Sequence, residues 1–311
     1  MVFEGTEKKF ELVCAPGGPD LRELGAAFWH EVVAASRAQV LSTIHSDSVD
    51  AYLLSESSLF VWSDRALMIT CGTTRLTDAA ELVVRRLGGH EALDFFIYER
   101  KNEVFPHQQP THFLSDAARL KELIPGSGWQ FGPEDEHHLF LFHMDRKSDA
   151  RDAEVTAELL MCGLSPRARA LFGPWSGDEA GPIEGMGEIL EGFEVDDFRF
   201  QPQGYSLNAL RGDRYITVHV TPEERGSYAS FETNAWSASE LSGVLHKVLG
   251  VFEPRAFDLI AWDRDDPLGI VDLGVPRRRS VMQRLPSGYR LQMTSYAVDE
   301  PEIQGAQPLP L

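Results

Sequence analysis

The sequence predicts an α+β chain in which antiparallel sheets are covered by helices. Three observations predict it. Short apolar runs of strand type recur from one end to the other, several segments carry a helical apolar face, and no Pro/Gly/Ser-rich stretch divides the chain into independent units. The 311 residues suffice for one large domain or two small ones, and 43% apolar residues with 26 Gly and 18 Pro give an ordinary globular balance. A single domain over 1–311 is therefore expected.

The first strand is expected over 10–13, followed by a helix in which Leu21, Leu24, Phe28 and Val32 share one face. Strands over 51–54, 59–62 and 67–70 come next. A second helix contains Leu82 and Leu87 and should stop at Gly88-Gly89, because glycine adopts the left-handed conformation that ends helices. Further strands are expected over 139–142, 205–209, 215–220 and 229–232. A third helix opens on the capping box Ser237 to Glu240, with Leu241, Val244, Leu245 and Val248 inward, and strands over 257–262 and 289–295 complete the set.

The formal charge of −19, from 29 basic and 48 acidic residues, argues against nucleic acid and anionic membranes as partners and favours a cationic ligand. Cys14, Cys71 and Cys162 are too few and too scattered for a disulfide framework or a zinc site. The start, Met1-Val2-Phe3-Glu4, lacks a basic segment followed by an apolar one, and no apolar run approaches membrane-spanning length. A cytoplasmic protein is the expectation.

Between the strands over 51–54 and 59–62 lies Ser55-Glu56-Ser57-Ser58, which taken alone reads as a hairpin turn. In a strained turn, however, the Ser57 hydroxyl can attack the Glu56 carbonyl and convert the amide into an ester. Elimination of that ester cuts the chain, and the dehydroalanine left behind hydrolyses to a ketone. The product is a pyruvoyl group, whose carbonyl forms a Schiff base with a substrate amine and takes up electrons as carbon dioxide leaves.

The turn is accompanied by Phe3-Glu4-Gly5-Thr6-Glu7, Thr70-Cys71-Gly72-Thr73-Thr74, Gly204-Tyr205-Ser206-Leu207-Asn208, Thr217-Val218-His219-Val220-Thr221-Pro222-Glu223 and Ser230-Phe231-Glu232-Thr233-Asn234. Together these motifs resemble the eukaryotic-type S-adenosylmethionine decarboxylases, in order from Phe3 to about Ala297. The resemblance implies a four-layer α/β/β/α sandwich of two antiparallel sheets flanked by helices, produced by internal duplication. It also implies a cut between Glu56 and Ser57, giving a small chain of 1–56 and a pyruvoyl chain of 57–311, with no metal and no pyridoxal phosphate. The activity implied is decarboxylation of S-adenosylmethionine to the aminopropyl donor of spermidine and spermine synthesis.

By the same resemblance, Ser57 is nucleophile and cofactor precursor, Ser206 and His219 serve processing, and Cys71 returns the proton to the substrate α carbon. A histidine near its ordinary pKa suits a base, and a thiol near ~8.5 suits a donor. Glu4 and Glu7 match glutamates used in processing and catalysis; an exposed charge pair is the commoner meaning of their spacing. Phe3 and Phe200 stack on adenine, Glu223 accepts from the ribose hydroxyls, and Leu54 and Glu56 lie against the substrate. A nucleoside sulfonium would gain cation–π attraction from such rings.

Animal members bind putrescine in a buried acidic cluster, and Glu154, Glu158 and Glu232 match parts of it. Ile69 stands where better-known members carry a basic side chain, so the carboxylates need another positive partner, a diamine or an arginine of this chain. Activation by putrescine is left open, as is the oligomeric state, a homodimer included.

Other patterns carry less. His138 and His143 flank 139–142 on opposite faces, which disfavours a metal site with His137. Arg211-Gly212-Asp213 is a turn, Arg277-Arg278-Arg279 an exposed loop, and Asp263-Arg264-Asp265-Asp266-Pro267 lacks calcium-loop spacing. Two alternative functions stay on the table: a pyruvoyl decarboxylase of ornithine or arginine, against which Phe3 and Phe200 speak, and an inactive regulatory homologue, against which Ser57 and Cys71 speak.

Overall fold

The structure is a computed structural model that describes residues 3–148, 155–174, 185–264 and 271–298. Eight strands form a first sheet: β1 (Lys8–Cys14), β2 (Val40–His45), β3 (Asp50–Leu54), β4 (Ser57–Val61), β5 (Arg65–Thr70), β6 (Leu93–Lys101), β7 (Gly126–Phe131) and β8 (Leu139–Met144). Eight more form a second: β9 (Thr156–Cys162), β10 (Glu194–Arg199), β11 (Tyr205–Arg211), β12 (Arg214–Thr221), β13 (Tyr228–Thr233), β14 (Ala256–Asp263), β15 (Arg277–Arg284) and β16 (Arg290–Ala297). The first sheet runs β2-β3-β4-β5-β1-β6-β8-β7 and the second β10-β11-β12-β13-β9-β14-β16-β15. The second order is the first advanced by eight strands, the topological mark of a duplication. All pairings are antiparallel.

Helices α1 (Gly25–Ala35), α2 (Leu76–Arg86) and α3 (Phe113–Lys121) cover the first sheet; α4 (Pro166–Leu171) and α5 (Ala238–Phe252) cover the second. Alternation explains the two outer cores. On β1, Phe10, Leu12 and Cys14 join Trp29, Val32, Val83 and Val84 of α1 and α2, so odd-numbered Glu7, Lys9 and Glu11 must face the other sheet. Leu207, Val218, Phe231, Leu245 and Val248 form the equivalent core of the second half. Gly88 and Gly89, at φ 92 and 103, turn the chain after α2. The capping box of α5 is formed: Ser237 N donates to Glu240 Oε2 at 3.1 Å.

The layer between the sheets is unlike either outer core. Apolar clusters flank it, around Phe95, Ile97, Leu141 and Ile260 on one side and Phe60, Leu67, Ile69 and Tyr215 on the other. Its middle is polar and charged. There Lys101 of β6 pairs with Asp258 of β14, which also accepts from Ser295 Oγ at 2.6 Å and contacts His137 Nδ1 at 3.1 Å. Both members of the pair are buried, and Lys101 and His137 hold Asp258 below the ordinary carboxylate range against the effect of burial.

Several elements were not expected from sequence: β2, β6, β7, β9, β10, β15, α3 and α4. The run Arg277-Arg278-Arg279, expected as a loop, instead opens edge strand β15, paired with β16, and Arg279 reaches Glu136 at 2.6 Å. Charged side chains blunt such an edge against pairing with another molecule. His143 is buried in β8, 2.9 Å from Ser287 Oγ, and burial lowers its pKa to about 4.

Asp258→Ala leaves Lys101 charged and unpaired in the interior, a change expected to cost about 3–5 kcal/mol. The volume-matched double change Lys101→Met with Asp258→Leu should cost clearly less. Denaturant titrations of both decide it; equal losses would mean the pair adds nothing beyond packing.

Candidate functional site

Ser55 and Glu56 form the β3–β4 turn and Ser57 opens β4, paired to Leu54 across the ladder. Ser57 has φ 143, a left-handed-side conformation that a residue with a Cβ adopts only under strain, at a cost of about 1–3 kcal/mol. Its hydroxyl is buried, and its Oγ has no hydrogen-bond partner among the described residues. The preceding carbonyl is the opposite case. Glu56 O accepts from Cys71 N at 2.9 Å and from Cys71 Sγ at 3.2 Å. An unsolvated nucleophile thus stands beside a carbonyl held by two donors.

Cys71 follows β5. Gly72, at φ 64, turns the chain there; a Cβ at Gly72 would lie 3.1 Å from the Phe3 ring, so the absent side chain makes room for it. Gly72 N donates to Glu4 O at 2.9 Å and Lys8 Nζ to Gly72 O at 2.9 Å, fixing the loop from both sides. Burial, with Arg100, lowers Lys8 to about 8. Burial, with Glu7 and Glu56 nearby, pushes the Cys71 thiol well up, so it keeps its proton at neutral pH. That differs from the ordinary thiol value expected from sequence.

Phe3-Glu4-Gly5-Thr6-Glu7 threads the mouth of this region. Gly5 lies against Thr221 and Tyr228, where a Cβ would clash at 2.8 Å. Glu4 and Glu7 are not an exposed charge pair. Glu4 Oε2 accepts from Phe105 N at 2.6 Å and Oε1 from Thr6 N at 3.2 Å, so Glu4 fastens the segment. Glu7 is half-buried while its carboxyl accepts from Ser230 Oγ at 2.7 Å, and burial raises it to about 8.

From the second sheet, Ser206 and His219 face each other across β11 and β12, with Ser206 Oγ 2.8 Å from Nδ1. Burial lowers His219 to about 3, so it is a neutral base rather than one near its ordinary value. Glu223 lies 3.1 Å from Phe3 N through both oxygens, and burial raises its pKa. Phe200 packs edge-on to the exposed Phe198, centroids 4.9 Å apart, and closes on Gly204. Leu54 is fully buried in the core under the first sheet, which leaves its backbone as the part a ligand can reach.

Glu158 and Glu232 are cross-strand neighbours on β9 and β13. Lys9 of β1 brings a cation of this chain to them: it pairs with Glu158 and lies 3.5 Å from Glu232 and 3.7 Å from Glu99, a lysine where sequence reasoning considered an arginine. Burial works against its charge, yet these carboxylates hold its pKa well above normal. Burial raises Glu158 strongly and Glu99 to about 7. Glu154 lies outside the described residues. Sequence reasoning missed Lys9, Glu11 and Glu99; the signal available was alternation on 7–11, where Glu, Lys and Glu share the face opposite Phe10. A cavity of about 930 Å³ opens at the far end of the inter-sheet layer, between Glu11, Arg65, Trp62, Trp236 and Trp262, and contains none of the predicted site residues.

A model of the adenosylmethionine decarboxylase family matches residues 1–291. An S-adenosylmethionine decarboxylase proenzyme of Leishmania donovani is 34% identical over 291 residues, covering 86% of this chain and 75% of that protein. One of Dictyostelium discoideum is 32% identical over 328 residues, covering 94% and 85%, and one of Xenopus laevis 33% over 273 residues, covering 82% and 81%. The crystal structure of the Trypanosoma brucei AdoMetDC-delta26 monomer superposes with a TM-score of 0.59 at 25% identity, covering 78% of this chain and 99% of that one.

Glu7 has a testable pH signature. Its proton is held more tightly folded than unfolded, so between about 4.5 and 8 the folded state binds the extra proton and its stability falls as pH rises. Glu7→Gln is always neutral and escapes that fall. Its stability relative to the parent is expected to increase from pH 5 to pH 8 in denaturant titrations; a pH-independent difference would refute the assigned shift.

Proposed function

This chain belongs to the adenosylmethionine decarboxylase family, and we propose the route by which it decarboxylates S-adenosylmethionine. It is made as one polypeptide that cuts itself between Glu56 and Ser57. The observation that carries this is the geometry at the turn: a strained Ser57 with an unpartnered buried hydroxyl, next to a carbonyl that accepts from Cys71 N–H and thiol. Ser57 Oγ attacks the Glu56 carbonyl carbon while the two Cys71 donors hold the oxygen on which negative charge develops; the hydroxyl proton passes to the residue-57 nitrogen and the Glu56–Ser57 C–N bond breaks to leave the ester. Strain released as the amide becomes an ester favours the shift. Neutral His219 then takes the α proton of residue 57, and Ser206 supports the intermediate. These features fit a pyruvoyl group made from Ser57 at the start of 57–311.

When present, that group supplies an electron sink for loss of carbon dioxide. The surrounding residues bind and reprotonate. Glu223 has lone pairs beyond those turned to Phe3 N–H and can accept both ribose hydroxyls. Phe3 and Phe200 offer aromatic faces to adenine, with Leu54 backbone and Glu56 alongside. Cys71, kept protonated by burial beside Glu7 and Glu56, returns a proton to the substrate α carbon. The product is the aminopropyl donor for spermidine and spermine synthesis. Among the described residues no helix is long and apolar enough to cross a membrane.

Lys9 supports a reading of the acidic cluster in which this chain supplies its own cation and needs no putrescine. Turnover and processing of the parent protein should then be unchanged by added putrescine. Lys9→Leu should slow both and regain part of the loss with putrescine. Several-fold stimulation of the parent protein would refute this.

Denaturing intact mass of the purified protein tests the cut. Two fragments meeting at Glu56 and residue 57 are expected in place of 34.8 kDa, the larger bearing a ketone where the amine stood. Ser57→Ala should give one inactive polypeptide; turnover by that variant would sink the pyruvoyl route.

A further inference from the structure

Both ring nitrogens of buried His219 face hydroxyls. Nδ1 lies 2.8 Å from Ser206 Oγ, while Nε2 lies 2.8 Å from Thr217 Oγ1 and 3.3 Å from Ser58 Oγ. Each hydroxyl has a single hydrogen to give. Ser58 Oγ donates to Asn208 Oδ1 at 2.6 Å, and Thr217 Oγ1 donates to the same oxygen at 3.0 Å. Ser58 Oγ also lies 3.3 Å from Thr217 Oγ1, a longer contact than either hydroxyl makes with Asn208; with both hydrogens on Asn208, the two oxygens turn only lone pairs toward Nε2. The ring hydrogen must then sit on Nε2, and the ring lone pair on Nδ1.

We infer that Asn208, acting through Thr217 and Ser58, fixes His219 as the Nε2–H tautomer and so presents Nδ1 as its basic nitrogen. Asn208 and Thr217 are positioning residues. The fold makes the arrangement rigid: Ser206 pairs with His219 and Asn208 with Thr217 in the β11–β12 ladder, two adjacent rungs on one face. Asn208 and Ser58 are fully buried and Thr217 nearly so, so water does not substitute for these partners. Asn208 Nδ2 has no partner among the described residues, a buried group left unsatisfied while the amide carbonyl is turned to the two hydroxyls. The reverse amide orientation would make both hydroxyls donors to Nε2 and move the hydrogen to Nδ1. Because burial keeps the ring neutral, there is a tautomer to fix.

The role of the lone pair rests on the self-cutting reading. There, Nδ1 takes the α hydrogen of residue 57 as a proton, the C–H electron pair becomes the dehydroalanine double bond, and the Cβ–Oγ bond of residue 57 breaks to leave the Glu56 carboxylate. The tautomer itself does not depend on that reading, so the two can fail separately.

The test uses the full-length protein with Ser57→Ala and ¹⁵N-labelled histidine, read by long-range ¹H–¹⁵N correlation, with His219 identified by its loss in His219→Gln. The Nε2–H pattern is expected, and an Nδ1–H pattern overturns the inference. Adding Thr217→Val should shift His219 toward Nδ1–H or a mixture; an unchanged tautomer also overturns it. With Ser57 intact, Thr217→Val should be cut into the 1–56 and 57–311 pieces, read by denaturing mass, roughly tenfold to a hundredfold more slowly, within the range general-base catalysis contributes, and Thr217→Ser should restore the rate to within a few-fold. Slowing that Thr217→Ser does not rescue would overturn the positioning role. An Nε2–H tautomer in a parent protein that is never cut would sink the processing reading and leave the tautomer assignment standing.

Discussion

Lys9 stands within reach of Glu99, Glu158 and Glu232, and the packing of one eight-stranded sheet on the other depends on that neutralisation. Two sheets of a duplicated fold usually meet through apolar faces. Here the apolar contacts are displaced to the flanks, and the centre holds glutamates on β1, β6, β9 and β13. Buried carboxylates in such number need a cation or protons. One lysine serves several of them, and the remainder is met by raised pKa values at Glu7, Glu99 and Glu158. The polar centre therefore has a cost in stability; burial beside Glu7 and Glu56 keeps Cys71 protonated, and burial alone keeps His219 neutral.

The site grows from the end of that layer. Glu7 stands just before strand β1, and Glu11 and Val13 within it line the far cavity, so a single alternating segment links the reacting end to that cavity. The first sheet contributes the strained turn and the loop that braces its carbonyl; the second contributes Ser206, His219 and the network behind them. Neither half holds a complete set.

Much of this was legible in the sequence, and what was missed shares a cause. The predicted strands all exist because their apolar runs lie against the helices or in the apolar clusters that flank the inter-sheet layer. Strand β6, in contrast, is wholly buried yet contains Asp94, Glu99, Arg100 and Lys101, and β9 carries Glu158 inward. Charges buried between sheets look like surface charges in sequence. Edge strands β2 and β10 are partly exposed on both faces and lose alternation for the opposite reason, and β15 alternates only between exposed and half-buried positions. At the site, Ser57, Cys71, Ser206 and His219 were found through motif resemblance, whereas Lys9, Asn208 and Thr217 act through pairing across strands and sheets. Ordinary expectations for His219 and Cys71 failed because burial, invisible in one sequence, moves both pKa values.

The strand order has a consequence for the life history of the molecule. β1 lies in the middle of the first sheet, between β5 and β6, while β2 and β3 sit at its edge. A cut after Glu56 would put β1, β2 and β3 on one polypeptide and their neighbours on another, with β1 threaded between strands of the larger piece. Such a polypeptide is unable to leave without dismantling the sheet. Folding, unimolecular before the cut, would become bimolecular after it, so a processed molecule that unfolds would regain its structure only at a rate and to an extent set by concentration.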